Sequence, residues 1–334
     1  MIDAGMPNLD GLSEIEKLVA IIEFYFPGKS DAVRALLGAV ASLSVINSRK
    51  SIPLWLCSDP GTSKSTVLNL IGSGLNLHDW ANRGIEYSLF VENLTPKAFR
   101  SVKRNDDDLD LLDRLGGDGH RVLITTELNL LWTKPQQELD LLAGFITKIC
   151  DDDPSINYAS AGRISSDSRN STDSNFVWLA ATIALPDKVS RRFSNSLGPR
   201  LYFFKIEEEI ETPAEMSARL TNMESSNTRE YFEACMICIQ AIAGFLRAVP
   251  ITPSSVEWNK DDDEGTTVLS DAATILRVLR AGLTEKKRKG KITFKSTLEA
   301  PARARKIITQ LARGQAVLRQ SNSIGLEDVP IVCK

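Results

Sequence analysis

Ile52-Pro53-Leu54-Trp55-Leu56-Cys57 leads directly into Ser58-Asp59-Pro60-Gly61-Thr62-Ser63-Lys64-Ser65-Thr66, and this join decides the fold. The first six residues are an apolar run without helical period, the pattern of a strand buried on both faces. The next nine are mostly small, polar and turn-forming, and behind them Val67-Leu68-Asn69-Leu70-Ile71 continues as an apolar helix. Strand, Gly/Ser/Thr loop ending in Lys-Ser, and helix make the context in which a loop cradles phosphate: backbone N–H groups face the anion and the helix N-terminus adds its dipole. Lys64 would reach the β- and γ-phosphates of ATP, Ser65 would offer its hydroxyl oxygen to magnesium, and Gly61 would allow a tight turn at positive φ. The strict spacing G-x-x-x-x-G-K-[ST] is broken, because Ser58 and Ser63 stand at its glycine positions. The same residues would also serve as a polar turn capping an ordinary helix.

Working outward, residues 13–46 repeat apolar side chains at helical spacing in two blocks separated by the turn FPGKSD. Downstream, residues 85–91, 121–126, 176–184 and 201–206 are further strand candidates, and 136–150 is an amphipathic helix. The polar stretch 153–174 alternates weakly, as a hairpin would. Beyond residue 209 the pattern is helical only, with Pro213 suited to a helix start. The expected organisation is N-terminal helices over 1–50, an α/β core with a five-stranded parallel sheet over 51–208, and an all-helical lid over 209–334.

DPGTSKS resembles the Walker A loop of minichromosome-maintenance (MCM) helicases, which also lacks the second glycine, and the preceding segment IIEFYFPGKSDAVRALLGAVASL resembles the helix pair in front of that loop. The resemblance runs by element order from about residue 14 to the C-terminus; only the phosphate loop is specific, and related phage and mobile-element ATPases share it. It implies a P-loop NTPase of the AAA+ type that binds and hydrolyses ATP with Mg2+, with Asp59, Pro60, Gly61, Thr62, Ser63, Lys64, Ser65 and Thr66 around the nucleotide. Glu127, after the strand ending Thr125-Thr126, matches the family's catalytic glutamate and would orient the attacking water. Thr126 stands where the family has the aspartate that supports magnesium; a neutral hydroxyl can bond the ion's hydration shell but brings no charge. The family's polar sensor-1 position falls on Ile183, which cannot do that work, leaving Thr182 as the nearest substitute or as an ordinary strand threonine.

The segment before residues 201–206 is similar to the region that carries the AAA+ arginine finger. Arg200 fits best, with Arg191 and Arg192 behind it, and each would act in a neighbouring copy's site. In the C-terminal helices Arg303, then Arg305, would be sensor 2, although such residues are also the ordinary wet face of a helix. An oligomeric ring such as a hexamer, acting on single-stranded or duplex DNA, is the partner reading. Lys148 and Arg163 suit a pore, whereas Asp151, Asp152 and Asp153 oppose it. The run EKKRKGK (285–291) would bind phosphate backbones or be a solvated loop. An ATP-dependent switch with weak hydrolysis is the competing reading, favoured by Thr126 and Ile183. A protein-remodelling pore is a third, and Tyr158 is its only aromatic candidate.

Composition sets wide bounds. The 334 residues are 43% hydrophobic and 25% charged, enough for a large core, and the net charge of −3 advertises no global affinity for nucleic acid. Cysteines at 57, 150, 235, 238 and 333 are scattered, and the Cys235/Cys238 pair lacks two further ligands for zinc, so packing in a reducing, cytoplasmic setting is expected. No basic leader precedes an apolar stretch, and no apolar run is expected to cross a membrane.

Overall fold

The computed structural model describes residues 7–46, 51–83, 86–92, 94, 111–115, 120–151, 159–160, 163–164, 175–183, 201–206, 228–259, 263–279, 282–288, 291–297 and 301–333. Its centre is a parallel sheet of five strands: β1 (Ile52–Cys57), β2 (Ser88–Phe90), β3 (Val122–Thr125), β6 (Val177–Thr182) and β7 (Tyr202–Lys205). They lie in the order β2-β3-β6-β1-β7. Two short strands, β4 (Ala159–Ser160) and β5 (Arg163–Ile164), form the antiparallel pair expected within 153–174. The helices that matter here are α1 (Glu14–Tyr25), α2 (Ser30–Ala41), α3 (Lys64–Arg83), α4 (Leu111–Arg114), α5 (Gln136–Asp151), α6 (Thr228–Ala248), α7 (Asp263–Leu279), α8 (Pro301–Leu318) and α9 (Val329–Val332).

The pleat sorts the sheet into two faces. Leu54, Leu56, Val122, Ile124, Val177, Leu179 and Ala181 join one apolar cluster with α1, α2, α3, α6 and α8. The alternate residues Trp55, Leu123, Trp178 and Ala180 join a second cluster with Leu139, Leu142 and Ile146 of α5. This is the three-layer arrangement that near-continuous apolar strands require, since both faces of a parallel sheet must be covered. On the α5 side Trp55 and Trp178 meet edge to face with ring centroids 5.1 Å apart. The indole N–H of Trp178 donates to Thr125 Oγ1 at 3.1 Å, so this buried polar atom is satisfied.

The larger cluster includes Ile15, Leu36, Leu56, Ile242, Leu311 and Val332, so the N-terminal helices, the sheet and the C-terminal helices share one core. α2 and α8 touch backbone to backbone. A Cβ at Gly314 would lie 1.8 Å from the carbonyl oxygen of Gly38, and Gln315, almost fully buried, takes Arg34 Nε on its Oε1 and donates to Arg34 O, both at 3.1 Å. α6 lies as closely on α3, where a Cβ at Gly74 would be 2.5 Å from Ile242 Cγ2. Burial pushes the Cys238 thiol up to about 12, which makes it a packing group of this interface rather than a thiolate.

Two expectations need correction. The C-terminal part is not all helical: β8 (Gly282–Arg288) and β9 (Lys291–Thr297) pair antiparallel in full register. The run read as a solvated loop therefore belongs to a hairpin, because Lys291-Ile292-Thr293-Phe294-Lys295 alternates with strand period. An apolar stretch of membrane-spanning length also exists: Arg229–Ala248 is long and apolar enough by length and composition. Its apolarity is used in packing on α3 and α1 through Cys238, Ile242, Phe245 and Leu246.

The α2–α8 contact has a direct test. Gly314→Ala must displace the backbone of α2 and should cost at least ~1–3 kcal/mol by urea unfolding. Gly144→Ala, on an exposed turn of α5 where a Cβ meets nothing within 4 Å, should instead stabilise by ~1 kcal/mol.

Candidate nucleotide site

Strand β1 lies between β6 and β7, pairing Cys57 with Thr182 on one side and with Lys205 on the other. Its carboxyl end therefore opens between two neighbouring strands at the carboxyl edge of the sheet, where ligands of open α/β sheets bind. The loop that follows turns through Gly61 (φ 87°) and Ser63 (φ 60°) into α3. Ser63 holds a left-handed conformation that costs an L-residue ~1–2 kcal/mol, which is why the strict motif has glycine at that position. A Cβ on Gly61 would meet nothing within 4 Å, so the requirement there is conformational, not steric.

Lys64 is folded into the loop and nearly buried. Its Nζ lies within hydrogen-bonding distance of Asp59 O (2.6 Å), Ser58 O (2.8 Å), and Ser58 Oγ and Thr62 Oγ1 (3.1 Å each), so its three N–H groups are shared among these oxygens. Ser58 and Thr62 hydroxyls are themselves hydrogen-bonded across the loop. The ammonium thus sits in a cage of neutral oxygens, and an anion entering the loop would compete with those oxygens for it. Among the residues at the glycine positions, Ser58 contributes a cage wall that glycine could not.

Ser65 Oγ donates to the Thr126 carbonyl at 3.2 Å, which ties the first turn of α3 to the end of β3. Glu127 is exposed, and its Oε1 accepts from Asn129 Nδ2 at 2.8 Å. Asn129 opens a 3₁₀ turn (Asn129–Thr133), and its Oδ1 accepts the Ile183 N–H at 3.2 Å. Leu128 N–H to Ala181 O (2.9 Å) holds the crossing from β3 to β6 that makes this possible. Thr126 Oγ1 donates to Glu92 Oε1 at 2.6 Å. One rim of the loop thus holds Lys64, Ser65, Thr126, Glu127, Asn129 and Glu92. Its hydroxyl and carboxylate oxygens are the hard donors that suit magnesium, so these residues fit an ATP–magnesium pair.

Other candidates fall elsewhere. Thr182 is buried on the α5 face; it accepts from Trp132 Nε1 at 3.0 Å and donates to Ile183 O at 2.9 Å. The pleat that sends Ala181 toward α3 sends its neighbour Thr182 the opposite way. Thr66 is hydrogen-bonded to Tyr231 of α6 at 2.9 Å, and so joins the loop's helix to the C-terminal helices. Asp59 and Pro60 are exposed on the loop. Arg305 is exposed on α8; Arg303 lies on the same helix, but its side chain is outside the described residues, as are those of Lys148, Asp151 and Arg163. Arg191, Arg192, Arg200, Asp152, Asp153 and Tyr158 also lie outside the described residues.

Glu92 and Asn129 were not legible from the motifs. The one signal for Asn129 is its position two residues after Glu127, within reach of the same turn; Glu92 becomes visible only once β2 is known to lie beside β3. Compared with models of known protein families and with curated proteins, the chain matches none, so what this rim can do is read from its own atoms.

Proposed function

We propose that the chain is a P-loop ATPase of the AAA+ type that binds ATP with magnesium, works as a homo-oligomer and acts on DNA. The observation that carries the nucleotide reading is the hydrogen bond from Ser65, next to the loop-caged Lys64, to Thr126 at the carboxyl edge of the parallel sheet, with Glu127 the next residue along the chain. Lys64 would leave its internal oxygens to bind the phosphates, with backbone N–H groups of residues 61–65 completing the cradle. Magnesium, bound with the nucleotide, would neutralise charge on the β- and γ-phosphates. Glu127, oriented by Asn129, would align a water for in-line attack on the γ-phosphate and take its proton as ADP departs. Arg200 of a neighbouring copy is the candidate that would stabilise the transferred phosphoryl group.

DNA is supported by the β8–β9 hairpin. Its register pairs Thr284 with Lys295, Lys286 with Thr293 and Arg288 with Lys291. The register thus brings Lys286, Arg288, Lys291 and Lys295 to positions paired with one another or with threonine. A single-sign set of ladder positions of this kind suits a phosphate backbone although the whole chain is slightly acidic.

The alternative reading, a nucleotide-bound switch with slow turnover, is favoured by one observation: β3 ends in Thr126 where a carboxylate would hold the ion most directly.

Fluorescent-nucleotide binding and steady-state hydrolysis separate these readings. Lys64→Ala should weaken ATP binding ~10–100-fold, the loss of one or two charge-assisted hydrogen bonds. Lys64→Arg should not restore it, because the bulky planar guanidinium does not replace a compact ammonium point charge at the phosphates. Glu127→Gln and Asn129→Ala should leave binding within a few-fold and lower turnover by ~100-fold and ~10-fold respectively, the range of general-base and positioning effects. Turnover unaffected by Glu127→Gln would remove the assigned mechanism, and slow turnover unchanged by single-stranded DNA would favour the switch.

For the hairpin, anisotropy of a labelled single-stranded oligonucleotide should show log K falling linearly with log salt. Replacing Lys286, Arg288, Lys291 and Lys295 with alanine should reduce that slope by ~3, at ~0.7 for each phosphate no longer neutralised. An unchanged slope would take DNA away from this hairpin.

A further inference from the structure

We infer that Glu92 is the acidic group of the cation site, supplying from β2 the carboxylate that β3 lacks, with Thr126 as its positioning partner. The inference rests on the nucleotide reading above. Its basis is the sheet itself. β2 and β3 run parallel with Phe90 beside Ile124, and the Val91 N–H bonds Ile124 O at 2.9 Å. Two residues further along each chain, Glu92 and Thr126 therefore come out side by side at the carboxyl edge, and the Thr126 hydroxyl donates to the Glu92 carboxylate at 2.6 Å.

This pairing gives Thr126 a reason. An aspartate at position 126 would face Glu92 at hydrogen-bonding distance, and two carboxylates so placed oppose one another's ionisation. A threonine instead donates to the carboxylate and holds it in place. Thr126 also receives the Ser65 hydroxyl on its carbonyl at 3.2 Å, so one residue links the loop's hydroxyl ligand to the neighbouring strand's acid. A solvent-exposed Thr–Glu hydrogen bond contributes little to stability by itself. Its place beside Ser65 and Glu127 is what singles it out.

The donor set also sets the order of binding. Among the described residues no group of three or more His, Cys, Asp or Glu side chains gathers to hold a metal ion. Glu92 and Ser65 would thus be an incomplete shell, completed by phosphate oxygens and water, with Glu127 left free to align the attacking water. Magnesium commonly binds in this way, through one or two carboxylates plus substrate phosphates. The ion should therefore bind with nucleotide and not alone.

The test is a magnesium titration of fluorescent ATP-analogue binding to the full chain, read as binding and not as turnover. Glu92→Gln should raise the magnesium concentration at half-effect ~10–100-fold, the usual consequence of losing a group that supports a metal site. Binding in EDTA and the thermal unfolding midpoint should stay as in the unaltered chain. The double variant Glu92→Gln with Thr126→Asp, which moves the carboxylate to β3, should recover most of the magnesium dependence. A Glu92→Gln protein with unaltered magnesium dependence, or a double variant with no recovery, would overturn the assignment while leaving the nucleotide reading standing. If the unaltered chain binds no nucleotide with or without magnesium, both readings fall.

Discussion

Strand β1 is hydrogen-bonded along both edges, to β6 and to β7, and the rest of the molecule is arranged around that fact. A strand with partners on both sides and apolar residues on both faces has no exit except at its end. Its last residue, Cys57, must therefore hand the chain to a loop at the carboxyl edge of the sheet, between the ends of β6 and β7. That loop can only return by starting a helix that covers the sheet, and α3 does so with Val67, Leu68 and Ile71 against the core. The phosphate-type loop is thus a consequence of burying β1, and its position between the ends of β3, β6 and β7 follows from strand order.

Within that frame the pleat decides which side chains meet. Thr125 and Thr126 are adjacent, but Thr125 is buried and receives the Trp178 indole on the α5 face, whereas Thr126 joins Ser65 and Glu92 at the loop's rim. Thr182 shares the fate of Thr125 and is absorbed into the tryptophan-rich layer by Trp132. Polarity in sequence is therefore a poor guide at strand ends. Parity relative to the apolar residues is a better one: Ile124 and Ala181 face α3, so Thr125 and Thr182 cannot. That rule needs only the alternation of the strands and could have placed Thr182 on the α5 face from the sequence.

Much of the architecture was open to a reader of the sequence, because apolar runs bounded by turn residues carry their own period. The five strands and the helices α1, α2, α5, α6 and α8 all announce themselves in this way. The hairpin was missed because Glu285-Lys286-Lys287-Arg288 lacks the β-branched and aromatic residues that mark strands. Only its partner β9 carries the alternation, and β8 is a strand because β9 is one. Glu92 and Asn129 were hidden for another reason. Each acts on a residue brought near by strand adjacency or by a hydrogen-bonded crossing, and neither leaves a mark in spacing or composition. The shared core of the two chain ends was hidden likewise, since a glycine at 314 signals helix weakness until Gly38 is seen against it.

α3 is the element through which these features communicate. Its first residue, Lys64, is locked to the loop oxygens, its third, Thr66, is hydrogen-bonded to Tyr231, and its middle, Gly74, lies against Ile242 of α6. A helix held at its start by the loop and along its flank by α6 cannot shift at one without loading the other, because close-packed interfaces rearrange in discrete steps and do not deform freely. Tyr231 also lies edge to face on Phe26, just beyond α1, so the contact continues toward the N-terminal helices. Extraction of Lys64 from its cage would disturb the start of the same helix that carries this chain of contacts. The geometry therefore couples the loop to α6 and the N-terminal helices through α3, whether the nucleotide is turned over quickly or held.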